Sequence, residues 1–466
     1  MPTAAKASLQ SQLDAAKSAV AARLSRARPD PVRFAGLASR LPDAVRRMAA
    51  SVEPGLAGVW PIGVDIGDSG VRMLQLAPTG DGGASVVAAA KIDLPPAQET
   101  DHATPRRELG SAVIEAIGAM LASGQFYGRR ATVTLPRAIA QVKTVRSQPG
   151  ESDDSGANAM PAATVAREVQ SALGIDLRAG KHVCHFLPAE PLRRGEGREG
   201  LAAVANAAEV DRYVAGLHAS GLEVGAVDFE PLALLRCVNR FGRRDRDARE
   251  ALAVVDLGDR ATRVAVGRGG VLSFYKSLSF GGRTIHAAVA AALGLSEAEA
   301  RLLCLRSDAS GGAPGDRVDR AIAAAQRLVV EQLGRELAMC LRYYAVTFQG
   351  RPPTRVVVTG GAATDGLRRL LAETLEASLP LTVVPRRAYD DVAPAADTPA
   401  AAAFVPEDDR LWFAALGLAL RDAPDRLRCG GGQSRRQQIE ADAAADRLVL
   451  ETQRPPSRVD ALPEAA

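Results

Sequence analysis

Short hydrophobic runs separated by glycine, proline and aspartate dominate the chain from residue 59 onwards. Three of these runs, "VWPIGVDIG", "VRMLQLA" and "SVVAAAKIDLP", predict strands joined by tight turns, and apolar residues at helical spacing within residues 106–124 predict a helix after them. From residue 251 the order restarts, with "ALAVVDLGD", "TRVAVGRGG" and "VLSFYKSLSF" as strands and "GGRTIHAAVAAALG" as a helix. The pattern therefore predicts two α/β halves with the same strand order.

Each half opens on the same polar turn, "VDIGDSGVR" (residues 64–72) and "VDLGDRATR" (residues 255–263). Each copy has an aspartate after an apolar run, a glycine two residues on, a second aspartate, and an arginine seven residues past the first aspartate. A hairpin turn needs no carboxylate at its mouth, because Asn-Gly satisfies its backbone. The duplication thus indicates a chemical role beyond turning the chain.

The residue types of the first turn suit a phosphate and a metal ion. Gly67, Ser69 and Gly70 leave room for close approach of phosphate to backbone N–H groups. Asp65 can hold a hydrated divalent cation, and Arg72 supplies positive charge to the same phosphates.

The second turn offers the corresponding groups, namely Asp256, Gly258, Asp259 and Thr262. Two such hairpins facing each other would hold one polyphosphate in a cleft between like domains. A third element, "VVVTGGAATDGL", ends a strand in glycines 360–361 at a helix start, where backbone can pass beside a nucleoside.

The remaining pattern predicts how the chain is divided. A polar break at residues 147–160 is followed by an α/β block, so we expect domain I at 58–250 with an inserted subdomain at about 137–228, and domain II at 251–422. Residues 1–57 are expected to form a flexible leader and residues 423–466 a disordered tail. A long helix at 319–346 should bury one apolar face, formed by Ile322, Leu328, Leu333, Leu337, Leu341 and Tyr344.

Composition and charge exclude several classes of function. Hydrophobic content of 47% is that of a globular protein, and five scattered cysteines suit a reducing compartment. Residues 1–50 carry nine Lys/Arg against three Asp, which leaves the rest of the chain near −2 and gives no nucleic-acid footprint. The basic leader is either a solvated tail or a contact with an anionic membrane surface. No apolar run is long enough to span a bilayer, so the sequence predicts a cytoplasmic protein whose association with a membrane is either peripheral or through a partner.

These motifs resemble, in order, the first phosphate, second phosphate and adenosine motifs of the actin-like ATPases, a superfamily that includes actin, DnaK and FtsA. The closest resemblance is to the PilM family of type IV pilus assembly proteins, over about residues 58–422. It is carried by "IGVDIGDSGVRMLQL", "GLEVGAVDFEPLALLR" and "VDLGDRATRVAVGRGGVLSFYKSLSFGG". The resemblance implies duplicated actin-like (ribonuclease H-like) domains flanking a nucleotide cleft, with an inserted α/β subdomain in the first half.

The resemblance also implies ligands and partners. ATP with Mg²⁺ would lie in the cleft, with Asp65 and Asp256 on the metal. The phosphates would meet residues 67–70, including Asp68, and residues 258–262, including Arg260, and the adenosine would lie against Gly360, Gly361 and Ala362. The implied partners are the cytoplasmic tail of a PilN-like inner-membrane protein, taken up beside the inserted subdomain, and other pilus assembly components.

Two departures from the family pattern bear on the nucleotide. Arg72 stands where a lysine usually faces the phosphates. In the helix that contacts adenosine, Arg301 and Cys304 replace the usual Glu and Lys that hold ribose and base. Losing each charged hydrogen bond would weaken nucleotide binding by about 1–3 kcal/mol.

Three functions therefore stay open. The first is an ATP-binding assembly scaffold. The second is a scaffold of the same fold that no longer binds nucleotide, which Arg301 and Cys304 favour. The third is a small-molecule kinase of the same superfamily, although the sequence shows no aspartate in a recognisable kinase context. No residue can be named to orient an attacking water, so ATP hydrolysis is expected to be weak or absent.

Overall fold

The structure is a computed structural model that describes residues 58–80, 82–94, 109–146, 162–189, 199–240, 250–309, 317–347, 352–394 and 406–424. The predicted leader (1–57) and the predicted tail from residue 425 onwards lie outside the described residues. No helix in the described part combines the length and the apolar character needed to cross a membrane.

The described part of the chain contains fourteen strands. Most of the strands predicted from the hydrophobic runs are among them. They are β1 (Ile62–Ile66), β2 (Gly70–Pro78), β3 (Ala84–Asp93), β4 (Arg130–Thr134), β5 (Ala140–Arg146), β6 (His182–Pro188), β7 (Glu199–Asn206), β8 (Glu223–Asp228), β9 (Ala251–Leu257), β10 (Thr262–Arg268), β11 (Val271–Leu278), β12 (Arg355–Thr359), β13 (Thr382–Val384) and β14 (Ala393–Pro394).

Nine α-helices lie between these strands in the described ranges, with short 3₁₀ helices at Leu177–Ala179 and Pro406–Leu411. The α-helices are α1 (Ser111–Ala122), α2 (Ala162–Leu173), α3 (Ala207–Ala219), α4 (Glu230–Asn239), α5 (Gly282–Leu293), α6 (Glu297–Ala309), α7 (Arg317–Thr347), α8 (Asp365–Ser378) and α9 (Phe413–Ala419).

Two sheets repeat one topology. The first has the order β14-β3-β2-β1-β4-β8, and the second has the order β11-β10-β9-β12-β13. In each sheet the first three strands along the chain pair antiparallel. Two later strands then extend the sheet in parallel on the free side of the first strand. These later strands are β4 and β8 in the first sheet, and β12 and β13 in the second. The prediction of two halves with the same strand order is confirmed.

A separate compact unit covers residues 137–212 and has its own sheet, β5-β7-β6, with antiparallel pairing throughout. Helix α2 covers this sheet, and their shared core includes Val145, Val165, Val169, Ala202 and Val204. The sequence placed the end of the inserted block near residue 228. The structure differs, because β8 pairs in parallel with β4 and so belongs to the first sheet.

Helix α7 buries the predicted face with one exception. Ile322, Leu333, Leu337, Leu341 and Tyr344 are all at most 2% exposed, whereas Leu328 is 72% exposed. Each residue of a helix is rotated by about 100° around the helix axis, so Leu328 is rotated by about 240° from Ile322 and lies off the buried face. Val330, 1% exposed, lies on that face instead.

Helix α9 lies between β1 and α4 at very close approach. A Cβ on Gly63 of β1 would lie 2.1 Å from the carbonyl oxygen of Ala415, and a Cβ on Gly417 would lie 1.9 Å from the carbonyl oxygen of Ala233 in α4. All seven residues of α9 are buried. Glycine at both positions therefore sets the distance of α9 from its two neighbours.

Substituting Gly417→Ala should lower the free energy of unfolding by about 3 kcal/mol, because the new methyl group must push α9 away from α4. Gly366→Ala is the matched control, since a Cβ there meets nothing within 4 Å on α8 and removing a helical glycine should stabilise by up to about 1 kcal/mol. Denaturant unfolding of both variants checks this, and equal stabilities would contradict the packing described.

Candidate functional site

The two repeated turns contain the same ion pair. In the first hairpin Asp65 lies opposite Arg72 in the β1–β2 register, and Arg72 Nη1 is 3.4 Å from Asp65 Oδ2. In the second, Asp256 lies opposite Arg263 in the β9–β10 register, and Arg263 Nη1 donates to Asp256 Oδ2 at 2.8 Å. Residues directly opposite on antiparallel strands point to the same face of the sheet. The seven-residue spacing from aspartate to arginine is thus the spacing of a cross-strand pair.

The glycines of the turns make room for these arginines. Gly67 N–H donates to the Gly70 carbonyl, and Gly258 N–H donates to the Ala261 carbonyl, both at 3.0 Å. A Cβ on Gly67 would lie 3.3 Å from Arg72 Nη1, and a Cβ on Gly258 would lie 2.9 Å from Arg263 Nη1. The first backbone N–H of each turn is therefore used within the turn, and the arginine side chain folds over it.

The two hairpins meet in one cluster of charges. Arg260 Nε of the second turn is 4.0 Å from Asp68 Oδ1 of the first. Burial raises the pKa of Asp65, and the negative charge of Asp256 raises it further, while Arg72 lowers it. Asp65 and Asp256, which the sequence assigned to one metal ion, therefore lie close enough to influence each other.

Glu230, which the sequence analysis did not select, joins this cluster from the first turn of α4. Its Oε2 is 2.8 Å from Arg263 Nε, so Arg263 bridges Glu230 and Asp256. Burial raises the pKa of Glu230 to about 7, against the lowering effect of Arg263. The signal in the sequence was "VDFEP", a carboxylate that follows a strand end and precedes a proline at a helix start.

Other predicted phosphate ligands already have partners within the fold. Ser69 Oγ accepts from Arg72 Nη2 at 3.4 Å, and Asp259 accepts from Arg283 Nε at 2.9 Å. Thr262 is fully buried, and its hydroxyl donates to the Phe280 carbonyl at 2.7 Å. The structure thus gives the Thr262 hydroxyl a role in holding β10 to the end of β11 rather than an open position for phosphate.

The glycine pair after β11 packs directly on the second hairpin. A Cβ on Gly281 would lie 2.4 Å from the Asp259 carbonyl oxygen, and Gly282 N–H donates to the Gly258 carbonyl at 2.9 Å. These contacts hold the second turn against the start of α5. The site residues predicted from the sequence do not include this pair.

The third predicted element also packs on the second hairpin. Gly360 has a φ of +100°, and a Cβ there would lie 2.5 Å from the Leu257 carbonyl oxygen and 2.7 Å from Asp256 Oδ1. Ala362 N–H donates to the same Leu257 carbonyl at 2.9 Å. Packing against β9 therefore requires glycine at position 360, and the predicted contact of Gly360, Gly361 and Ala362 with adenosine stays a prediction.

Of the two altered adenosine positions, one is buried in an apolar cluster. Cys304 of α6 is 7% exposed, packs in a cluster with Ile322 and Ala325 of α7, and accepts a hydrogen bond from Gln326 at 3.6 Å. Arg301 is half-buried, and together with burial it lowers the pKa of His286 on α5. A cysteine buried against α7 cannot replace a lysine that holds a base.

The donor types of the cluster fit a divalent cation with a phosphate anion. Arg72 is only 6% exposed, and its Nε–H has no hydrogen-bond partner among the described residues, so it is a buried donor for an anion. Carboxylate oxygens are the ligands that Mg²⁺ prefers, usually one or two of them completed by phosphate oxygens and water. No group of three or more His, Cys, Asp or Glu in the described ranges is arranged to hold a metal ion, so a cation at Asp65 and Asp256 would need those additional oxygens.

A family model described as the type IV pilus assembly protein PilM matches residues 189–423, half of the chain. The protein belongs to the PilM family. Among solved structures, the PilM–PilN type IV pilus biogenesis complex matches with a TM-score of 0.59 and 21% identity, over 78% of this chain and 98% of that one.

Two further matches have lower scores. The ethanolamine utilization protein EutJ from Carboxydothermus hydrogenoformans has a TM-score of 0.42 and 16% identity, over 81% of this chain and 93% of its own. An archaeal actin homologue has a TM-score of 0.34 and 14% identity, over 77% and 98%. With the PilM match and the repeated sheet topology, the fold is that of duplicated actin-like domains, as the sequence predicted.

Glu230 should make the stability of this PilM-family protein depend on pH. Its pKa is about 7 in the folded protein and near 4.5 in the unfolded chain, so the folded state binds more protons in that interval. The free energy of unfolding should then fall as pH rises from about 4.5 to 7, and this loss should be absent in Glu230→Gln. Denaturant unfolding at pH 5 and pH 8 measures the difference.

The control is Glu223→Gln, which makes the same change at an exposed position of β8. It should follow the wild type at both pH values. Parallel pH profiles for Glu230→Gln and wild type would contradict the assignment.

Proposed function

We propose that this protein is a scaffold of a type IV pilus or related secretion machine that binds Mg–ATP between its two repeated hairpins and binds the cytoplasmic tail of a PilN-like inner-membrane protein. The observation that carries the nucleotide part is the approach of the two hairpins, in which Arg260 meets Asp68 and the pKa of Asp65 responds to Asp256. Membership of the PilM family supports the assembly role.

Each part of the site has a role toward the nucleotide in this proposal. Asp65 and Asp256 hold the magnesium ion together with phosphate oxygens, and Arg72 donates to phosphate through its unpaired Nε–H. When bound, Mg²⁺ would neutralise phosphate charge, and Asp65 and Asp256 would hold it between the two hairpins. A bound nucleotide would thereby set the geometry of the two halves, which is how a scaffold without fast hydrolysis can respond to ATP.

The partner part of the proposal rests on the likeness to the PilM–PilN complex and on family membership. A PilN-like tail would recruit the protein to the inner membrane, and other pilus assembly components would join there.

A second candidate is a scaffold that no longer binds nucleotide. Two observations favour it: Cys304 is buried against α7, and Asp65 and Asp256 already have arginine partners. Both candidates share the fold and the partner, so only nucleotide binding separates them.

Isothermal titration with Mg–ATP distinguishes these two functions. The wild type should bind, Asp65→Asn should abolish the heat by removing a metal ligand, and Arg72→Gln should weaken binding about tenfold by removing a buried charged donor. Arg335→Gln, at an exposed position of α7, should bind as the wild type does. No heat with the wild type at high ATP concentration would support the nucleotide-free scaffold.

The partner is tested with a fluorescently labelled peptide that carries the N-terminal cytoplasmic tail of the PilN-like protein encoded in the same organism. Fluorescence anisotropy should show saturable binding, and a scrambled peptide of equal composition should not bind. The measurement is made with Mg–ATP and without nucleotide. Lack of binding in both states contradicts the partner assignment whatever the result with ATP.

A further inference from the structure

Arg263 differs from the other arginines of the cluster because it contacts two carboxylates that come from different elements. Its Nη1 donates to Asp256 at the end of β9, and its Nε lies 2.8 Å from Glu230 at the start of α4. Arg263, Asp256 and Glu230 keep only 17%, 13% and 19% of their side-chain surface exposed. One cation therefore serves two largely buried anions.

Among the described residues, the first hairpin has no such bridge. Arg72 Nη1 lies 3.4 Å from Asp65 Oδ2, a longer contact than the 2.8 Å between Arg263 Nη1 and Asp256 Oδ2. Asp65 is thus held more loosely by its arginine than Asp256 is. The two repeated turns are alike in sequence but unequal in how firmly each aspartate is neutralised.

We infer that Arg263 is a tethered counter-ion, which neutralises Asp256 while no metal ion is bound and is retained by Glu230 when a divalent cation takes over Asp256. The inference rests on the proposed Mg–ATP site and adds a positioning pair, Arg263 and Glu230, that controls how strongly the site depends on the metal.

The physical argument concerns competition for one carboxylate. Arg263 Nη1 occupies Oδ2 of Asp256, so a metal ion that binds this oxygen displaces Arg263 Nη1. A buried guanidinium without an anionic partner would be unfavourable. Glu230 remains beside Arg263 Nε and supplies that partner. Glu230 thus favours release of Asp256, whereas Arg263 opposes metal binding.

The test measures the Kd of ATP in excess Mg²⁺ and again in EDTA, and uses the ratio of the two as the magnesium dependence. At pH 8, removing both residues of the pair, as Arg263→Met with Glu230→Gln, leaves the net charge unchanged and leaves Asp256 without its counter-ion. The magnesium dependence should rise about tenfold. Glu230→Gln alone should lower it, because Arg263 then pairs with Asp256 only.

Two further variants separate positioning from a merely structural effect. Arg263→Lys keeps a cation beside Asp256 and should retain a magnesium dependence close to that of the wild type. The matched control removes an equally buried pair after β13, Arg386→Met with Asp391→Asn, whose side chains are 17% and 14% exposed, and it should leave the ratio unchanged. Thermal unfolding of every variant establishes that it is folded.

The outcomes are distinct. ATP binding with an unchanged magnesium dependence in the folded double variant overturns the inference and leaves the proposed function intact. The inference is also overturned if the magnesium dependence of the control, Arg386→Met with Asp391→Asn, rises as much as that of Arg263→Met with Glu230→Gln. If neither the wild type nor any variant binds ATP in either condition, the proposed nucleotide function and the inference are both overturned.

Discussion

The ion pair of Asp256 with Arg263, shared with Glu230, is the constraint around which the site is built. Carboxylates in a poorly solvated cluster must have cations near them, and the fold meets this need by placing an arginine directly opposite each aspartate in the β ladder. The glycines of both turns agree with the same need, because an arginine that folds back over its turn leaves little room for a Cβ. Gly360 and Gly281 extend this packing to the elements around the second hairpin.

This arrangement changes what the repeated motif means. A glycine-rich turn beside an aspartate suggests phosphate-binding backbone, yet Gly67 and Gly258 use their N–H groups to close the turn. The groups that remain suited to a ligand are side chains, namely the carboxylates and the unpaired Nε–H of Arg72. The charges in this site already neutralise one another. A ligand would therefore bind mainly by replacing existing ion pairs and less by occupying unpaired groups.

Much of the fold could be predicted because it depends on local patterns that repeat. Strand alternation, turn residues and the duplicated Asp-to-Arg spacing are each encoded within about nine residues, and both sheets follow the predicted order. The pairing of Glu230 with Arg263 joins residues 33 positions apart and depends on where α4 begins relative to β10, which no local pattern encodes. The burial of Cys304 is not encoded locally either, because it depends on how α6 packs against α7. Approximate helical spacing places Leu328 on the apolar face of α7, whereas the actual phase of the helix buries Val330 and exposes Leu328.

One helix connects these features. Helix α9 touches β1 through Gly63 and α4 through Ala233, at distances that admit only glycine at positions 63 and 417. Asp65 follows Gly63 by two residues, and Glu230 precedes Ala233 by three, so the same buried helix fixes the strand that carries the first aspartate and the helix that carries the anion for Arg263. Arg236 strengthens the α4 contact by donating to the Gly417 carbonyl at 2.7 Å. The contacts of α9 therefore oppose movement of β1 relative to α4, and such a movement would change the distance from Asp65 to the Arg263–Glu230 pair.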